Sequence, residues 1–143
     1  MPDTGKAAEA RQKQSDASKR ATIDLLKSKA RSTTEFTLYI TDEDGEQQEV
    51  TIKFQSIGMR DYDKLVAKHP PKAEQRVDGS PFDIDTFAPA LIAACSVDPE
   101  ISLKDAQEIW NSPNWGRGDV MVLFRNAVDL NNRGLDIPFS ENG

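Results

Sequence analysis

Few residues of this chain have side chains suited to acting on a substrate. His69 is the only histidine and Cys95 the only cysteine in 143 residues. Together they could form a nucleophilic thiol with an imidazole base, the chemistry of a small cysteine hydrolase. A reactive thiol needs a partly exposed, electropositive setting. Cys95 instead ends the apolar run Phe87–Cys95, where a cysteine packs as a small hydrophobe. His69 precedes Pro70-Pro71, at a helix exit, with no orienting partner in its pattern. One histidine and one cysteine supply no zinc set. Asp42, Glu43, Asp44 and Glu46 offer carboxylates, but the run is too short for a calcium loop and suits a solvated turn. Gly116-Arg117-Gly118 lacks both the lysine and the preceding strand of a phosphate loop. No catalytic, cofactor-binding or metal-ligating residue is assigned, and the chain is expected not to be an enzyme.

Residues suited to binding are easier to name. Val120, Met121, Val122, Leu123, Phe124, Ala127, Val128 and Leu130 cover more than one stripe of a predicted helix. A helix apolar on several sides is covered on several sides, by its own core or by a partner. Trp110 and Trp115 flank a polar loop, and tryptophan is enriched at interface hot spots. Trp110, Trp115, Met121, Leu123 and Leu130 are the partner-binding candidates. Ordinary core packing is the competing account of each.

These residues need a scaffold. Phe36, Leu38 and Ile40 alternate with polar neighbours, as do Val50, Ile52 and Phe54, which predicts two strands with one buried face. Asp44-Gly45 in the connector favours a hairpin turn. A lone hairpin is marginal, so its apolar face must pack on helices or on another chain. Met59–Ala67 reads as a short helix stopped before Pro70, and 72–82 as a polar loop. Ile84, Phe87, Ala88, Leu91, Ile92 and Cys95 form a helical stripe. With Thr86 as its cap, Pro89 would lie in the first turn, where its missing N–H costs nothing. Ser102 is predicted to cap Leu103–Trp110, with Asp105 as the far half of a capping box and Leu103, Ala106 and Trp110 on one face. A last helix is expected over 119–132, ended by Gly134.

Composition sets outer bounds. Residues 1–34 carry a net charge of +4 and residues 35–143 carry −10, for −6 in all. The acidic body repels phosphate backbones, so no nucleic-acid partner is expected. The basic arm reads as a solvated tail, with 1–20 disordered and 21–30 able to form a helix when something binds Ile23, Leu26 and Ala30. No secretory or membrane segment is expected, and the lone cysteine suits a reducing compartment such as a bacterial cytoplasm. The predicted organisation is a basic, largely disordered arm over 1–34, a single α+β domain over 35–134, and a disordered tail over 135–143. In the domain a hairpin at 35–54 precedes a mainly helical bundle at 59–132.

The order of certain residues carries a resemblance. Tyr62-Asp63-Lys64-Leu65-Val66 leads to His69-Pro70-Pro71, then Phe87 through Cys95, then Asp98-Pro99. Asp105-Ala106, Ile109-Trp110, Trp115 and Phe124–Asn131 follow, and Asn132-Arg133-Gly134-Leu135-Asp136-Ile137-Pro138-Phe139 closes the set. Over about residues 57–139 the chain resembles the tail assembly chaperones of long-tailed bacteriophages, especially those of actinobacterial phages and prophages. The resemblance implies a non-catalytic protein of the host bacterial cytoplasm. It would bind the tape measure protein, keep it soluble while the tail tube assembles, and be absent from the finished virion. It further implies contact with the tail tube protein, and a longer form of the same protein made by programmed frameshifting, of which this chain would be the shorter product. The alternative is a minor tail or connector subunit retained in the virion.

Overall fold

A computed structural model describes residues 19–133. Expectations for the first eighteen residues, for Gly134 as a helix stop and for the tail at 135–143 lie outside the described residues. The chain divides into two units, with the break after Ala30. Of the first, the described part holds one short helix, α1 (Ile23–Lys27), whose first turn is capped by Thr22 accepting from the Leu25 N–H. Ala30 lies beyond it, so the expected stripe of Ile23, Leu26 and Ala30 is cut to one turn.

The second unit is α+β. Strands β1 (Thr33–Thr41) and β2 (Gln47–Gln55) form the predicted antiparallel hairpin, and both start earlier than alternation alone indicates. Leu38, Ile52 and Phe54 are buried, while Phe36 and Val50 are half-buried. Asp42 builds the turn. Its carboxylate accepts from the N–H groups of Glu46 and Asp44, both at 2.9 Å, and from the Gln48 side-chain amide at 3.0 Å. Gly45 takes the left-handed conformation at φ 83° that closes the turn without steric cost. The hydrogen bond from Glu46 contributes most to holding the Asp42 carboxyl below its ordinary range.

Helices and a third strand follow. α2 (Met59–Lys68) ends at His69, as the prolines require. The expected polar loop contains a one-turn helix, α3 (Ala73–Val77). α4 spans Ile84–Cys95 and runs straight into β3 (Ser96–Asp98), which pairs with β2 across a register irregularity. α5 (Leu103–Asn111) and α6 (Arg117–Asn131) complete the fold. The sheet order is β1-β2-β3, so β1 is an edge.

Asp83, not Thr86, caps α4, accepting from the Asp85 N–H at 3.2 Å. Pro89 is therefore the sixth helical residue, not a first-turn one, and sits inside the helix. Proline there forfeits a helical hydrogen bond; its ring is fully buried and contributes to the core instead. Ser102 caps α5 as predicted, accepting from the Asp105 N–H at 3.1 Å. Leu103 departs from the expected α5 face, being 49% exposed, whereas Ala106 and Trp110 keep to it and Ile109 joins them against the core.

α4 is the central helix, with α2, α5 and α6 all packed against it, while α6 also lies across β1 and β2. Phe87 of α4 stacks on Phe82 at 4.3 Å between ring centroids and meets Tyr62 and Phe124 edge-on at 5.8 and 6.0 Å. Asn131 secures the end of α6. Its side-chain oxygen accepts from the Ile57 N–H at 2.9 Å, and its amide donates to Ala127 O at 2.7 Å and to Cys95 Sγ at 3.3 Å.

A candidate docking surface around Trp115

The five partner-binding candidates separate into two groups. Leu123 and Leu130 are 1% and 3% exposed and belong to the hydrophobic core. They cannot meet a partner, because the buried stripe of α6, at Val120, Leu123, Phe124, Ala127 and Leu130, faces α4 and the sheet. Trp110, Trp115 and Met121 are half-buried and come together at the surface. With Val120 and Arg117 they line an open depression of about 270 Å³, with Asp85 on its wall. Trp110 is anchored from below, its ring edge-on to Phe124 at 6.2 Å.

Trp115 is the pivot of this surface, because two further depressions also reach it. One, of about 480 Å³, has Ile101, Ile109 and Trp115 as apolar lining and Glu100, Asp105 and Glu108 as acidic lining. The other, of about 200 Å³, lies between Leu38–Thr41 at the end of β1 and Asn114, Trp115 and Asp119. The loop between α5 and α6 thus carries one aromatic ring into three adjoining grooves. Sequence reading misses Ile101 and Ile109. Ile109 follows Ala106 at helical spacing, a usable signal, but Ile101 stands outside any periodic run.

The residues weighed for catalysis are placed otherwise. Cys95 is fully buried, and burial pushes its thiol up, with the hydrogen bond from Asn131 opposing this. A thiol held in that form is a poor nucleophile. His69 packs its ring against Phe87 at 6.3 Å, and its carbonyl accepts from the Asp83 N–H at 2.9 Å. Among the described residues, no group of three or more His, Cys, Asp or Glu side chains is arranged to hold a metal ion. Nor is any helix among them long and apolar enough to cross a membrane. Comparison with protein-family models, with curated proteins and with solved structures returned no match.

Proposed function

We propose that this chain is a non-catalytic assembly chaperone for a phage tail, binding an apolar face of the helical tape measure protein in the host cytoplasm. The reading starts from the ordered resemblance over residues 57–139. The observation that carries it is the clustering of Trp110, Trp115 and Met121 around one surface depression, all three within that span. Large half-buried side chains of this kind are the usual anchors for a helix laid in a groove. The acidic side chains beside Ile101, Ile109 and Trp115 favour a client whose apolar stripe is flanked by lysine or arginine. The net charge of −6 would help keep the pair in solution.

Co-expression tests this reading. A tape measure protein made alone exposes apolar helical faces and should aggregate. With this chain its soluble fraction should rise, and the two should co-purify through moderate salt, because the contact is largely apolar. A longer, frameshifted form belongs in the same experiment. If neither form changes tape measure solubility or co-purifies with it, the reading fails. Stoichiometric presence in purified virions would favour the tail-subunit alternative.

A further inference from the structure

The free edge of the sheet points to a second copy of this chain. β1 is nine residues long and bounds the sheet. Its ladder to β2 is flanked by hydrogen bonds from Ser56 N to Ser32 O and from Asp42 N to Glu46 O, both 2.9 Å. With the strand register, these bonds place Thr34, Phe36, Leu38 and Ile40 in the hydrogen-bonded pairs with β2. The backbone N–H and C=O groups of Thr33, Glu35, Thr37, Tyr39 and Thr41 therefore face outward, and among the described residues nothing bonds to them.

Natural edge strands are protected by lysines, prolines, bulges or shortness. β1 has none of these: it is long, its pairing with β2 is continuous, and Glu35 is its sole charged residue. Ile40, on its inward face, is 37% exposed. Such an edge is a template for another strand.

The strand and its flanks complement themselves. In an antiparallel pair of two β1 strands centred on Thr37, each outward-facing residue meets an outward-facing residue. Glu35 stands opposite Tyr39 of the second copy, and Thr33 opposite Thr41. This register uses the whole strand and puts no two like charges opposite each other. Just past the strand ends the charges also match. Arg31, two residues before β1, comes to the same end of the pair as the second copy's acidic turn, which carries Glu43 beyond Thr41, and the two-fold axis repeats this at the far end. A parallel pairing would set acidic turn beside acidic turn. In the monomer, neither Arg31 nor Glu43 forms an ion pair among the described residues. We propose that two copies of this chain associate through β1 in this register, joining two three-stranded sheets into one of six strands. The proposal does not rest on a tape measure client, although the added strand would border the groove between Leu38–Thr41 and Trp115.

The test uses the purified full chain alone, by sedimentation velocity over a wide concentration range. The wild type should approach twice its 15.9 kDa monomer mass. Arg31→Glu and Glu43→Arg lie outside the core, and each alone should weaken the dimer by roughly tenfold, because each creates two like-charge contacts of the modest strength usual at exposed sites. Mixed with each other, the two variants should pair as heterodimers with near wild-type affinity, since opposite charges then face each other again at both ends of the paired strands. Thr37→Pro removes an outward N–H without touching the ladder to β2, a position where an edge strand tolerates proline. It should abolish the dimer with an unchanged circular dichroism spectrum. A wild type that stays monomeric throughout overturns the proposal, whether a segment of the chain's own or nothing at all covers the edge. So does a dimer that both charge reversals leave intact, or two weakened variants whose mixture fails to recover affinity.

Discussion

α6 has two sides, and they differ in what covers them. One side carries Leu123, Phe124, Ala127 and Leu130 into the core against α4 and the sheet. The other carries Met121, half-buried beside Trp110 and Trp115, and Val122, 36% exposed. Met121 and Val122 are apolar like the core residues, so the residue type alone does not tell a core position from a docking one. The packing partners do. The core side meets aromatic rings edge-on, and the helix's last residue, Asn131, accepts from the Ile57 N–H. The outer side meets a loop and open grooves. A mutation should therefore cost stability on one side and affinity on the other.

The largest effect should come from the core side. Phe124 is 6% exposed and meets Phe82, Phe87 and Trp110 edge-on. Truncating a buried phenylalanine removes its transfer energy and leaves a cavity, at a cost of about 3–5 kcal/mol. Phe124→Ala should lower the denaturant midpoint sharply. A variant as stable as its parent that has lost its client would move Phe124 to the interface and erase the contrast.

Asn131, the last residue of the same helix, should cost less. Asn131→Ala leaves the Ile57 N–H without its acceptor, and an unsatisfied buried donor costs about 1–3 kcal/mol. The Ile57 N–H is part-buried, so the lower half of that range is expected. Hydrogen exchange at Ile57 should quicken together with the loss of stability. Unchanged exchange there would show that the amide does not hold the segment between β2 and α2 onto α6.

How much of this can be read from the sequence depends on the range of the interactions involved. The hairpin is legible because strand alternation and the Asp-Gly turn are local, and α4 and α6 because each shows several apolar residues at helical spacing. The cap at Ser102 is legible for the same reason. β3 is not: three residues carry no period, and pairing with β2 is a long-range event. α3 escapes because its five residues lack an apolar face; Gln75 ties it instead to Lys72 N at 2.7 Å and to Asp83 at 3.0 Å. The start of α4 is misread because Thr86 and Asp83 are both good capping residues. What selects Asp83 is tertiary: its N–H donates to His69 O, and its carboxylate accepts from Gln75. At the candidate surface, Trp110, Trp115 and Met121 can be named from the sequence. Leu123 and Leu130 can be excluded only once α4 and the sheet are seen lying over them.

Trp115 tests the outer side. It is half-buried and lines three grooves, so truncation removes part of a large apolar contact and opens no enclosed cavity. Trp115→Ala should cost about 1 kcal/mol of stability, the typical effect of a point substitution away from the deep core. The same change should remove most tape measure co-purification if the surface docks the client, since truncating a hot-spot residue costs about 2 kcal/mol or more in binding. Stability loss as large as that of Phe124→Ala, with client capture intact, would place Trp115 with the core and leave α6 with a single functional side.

The smallest effect concerns charge. Asp83 is the one buried charged residue among those described, 6% exposed at the start of α4. The hydrogen bond from Gln75 contributes most to holding its carboxyl below the ordinary value of 3.8. Desolvation opposes this, while the Asp85 N–H and Lys72, 3.9 Å away, add to the lowering. A carboxyl whose value is lower folded than unfolded binds protons more readily unfolded. Its stabilisation is therefore fully present well above pH 3.8 and is lost as pH falls through the folded value. Asp83→Asn keeps an oxygen for the Asp85 N–H but removes the titrating charge. It should be slightly less stable than the wild type near neutral pH, and the two stability curves should converge as pH drops below 3.8. Asp42, whose carboxyl is also lowered, is common to both proteins and cancels in the comparison. A gap between the curves that stays constant through the acid limb would mean that Asp83 acts through shape and hydrogen bonding alone. The packing of Phe82, Phe87 and Phe124 beneath it would then hold the start of α4 without help from its charge.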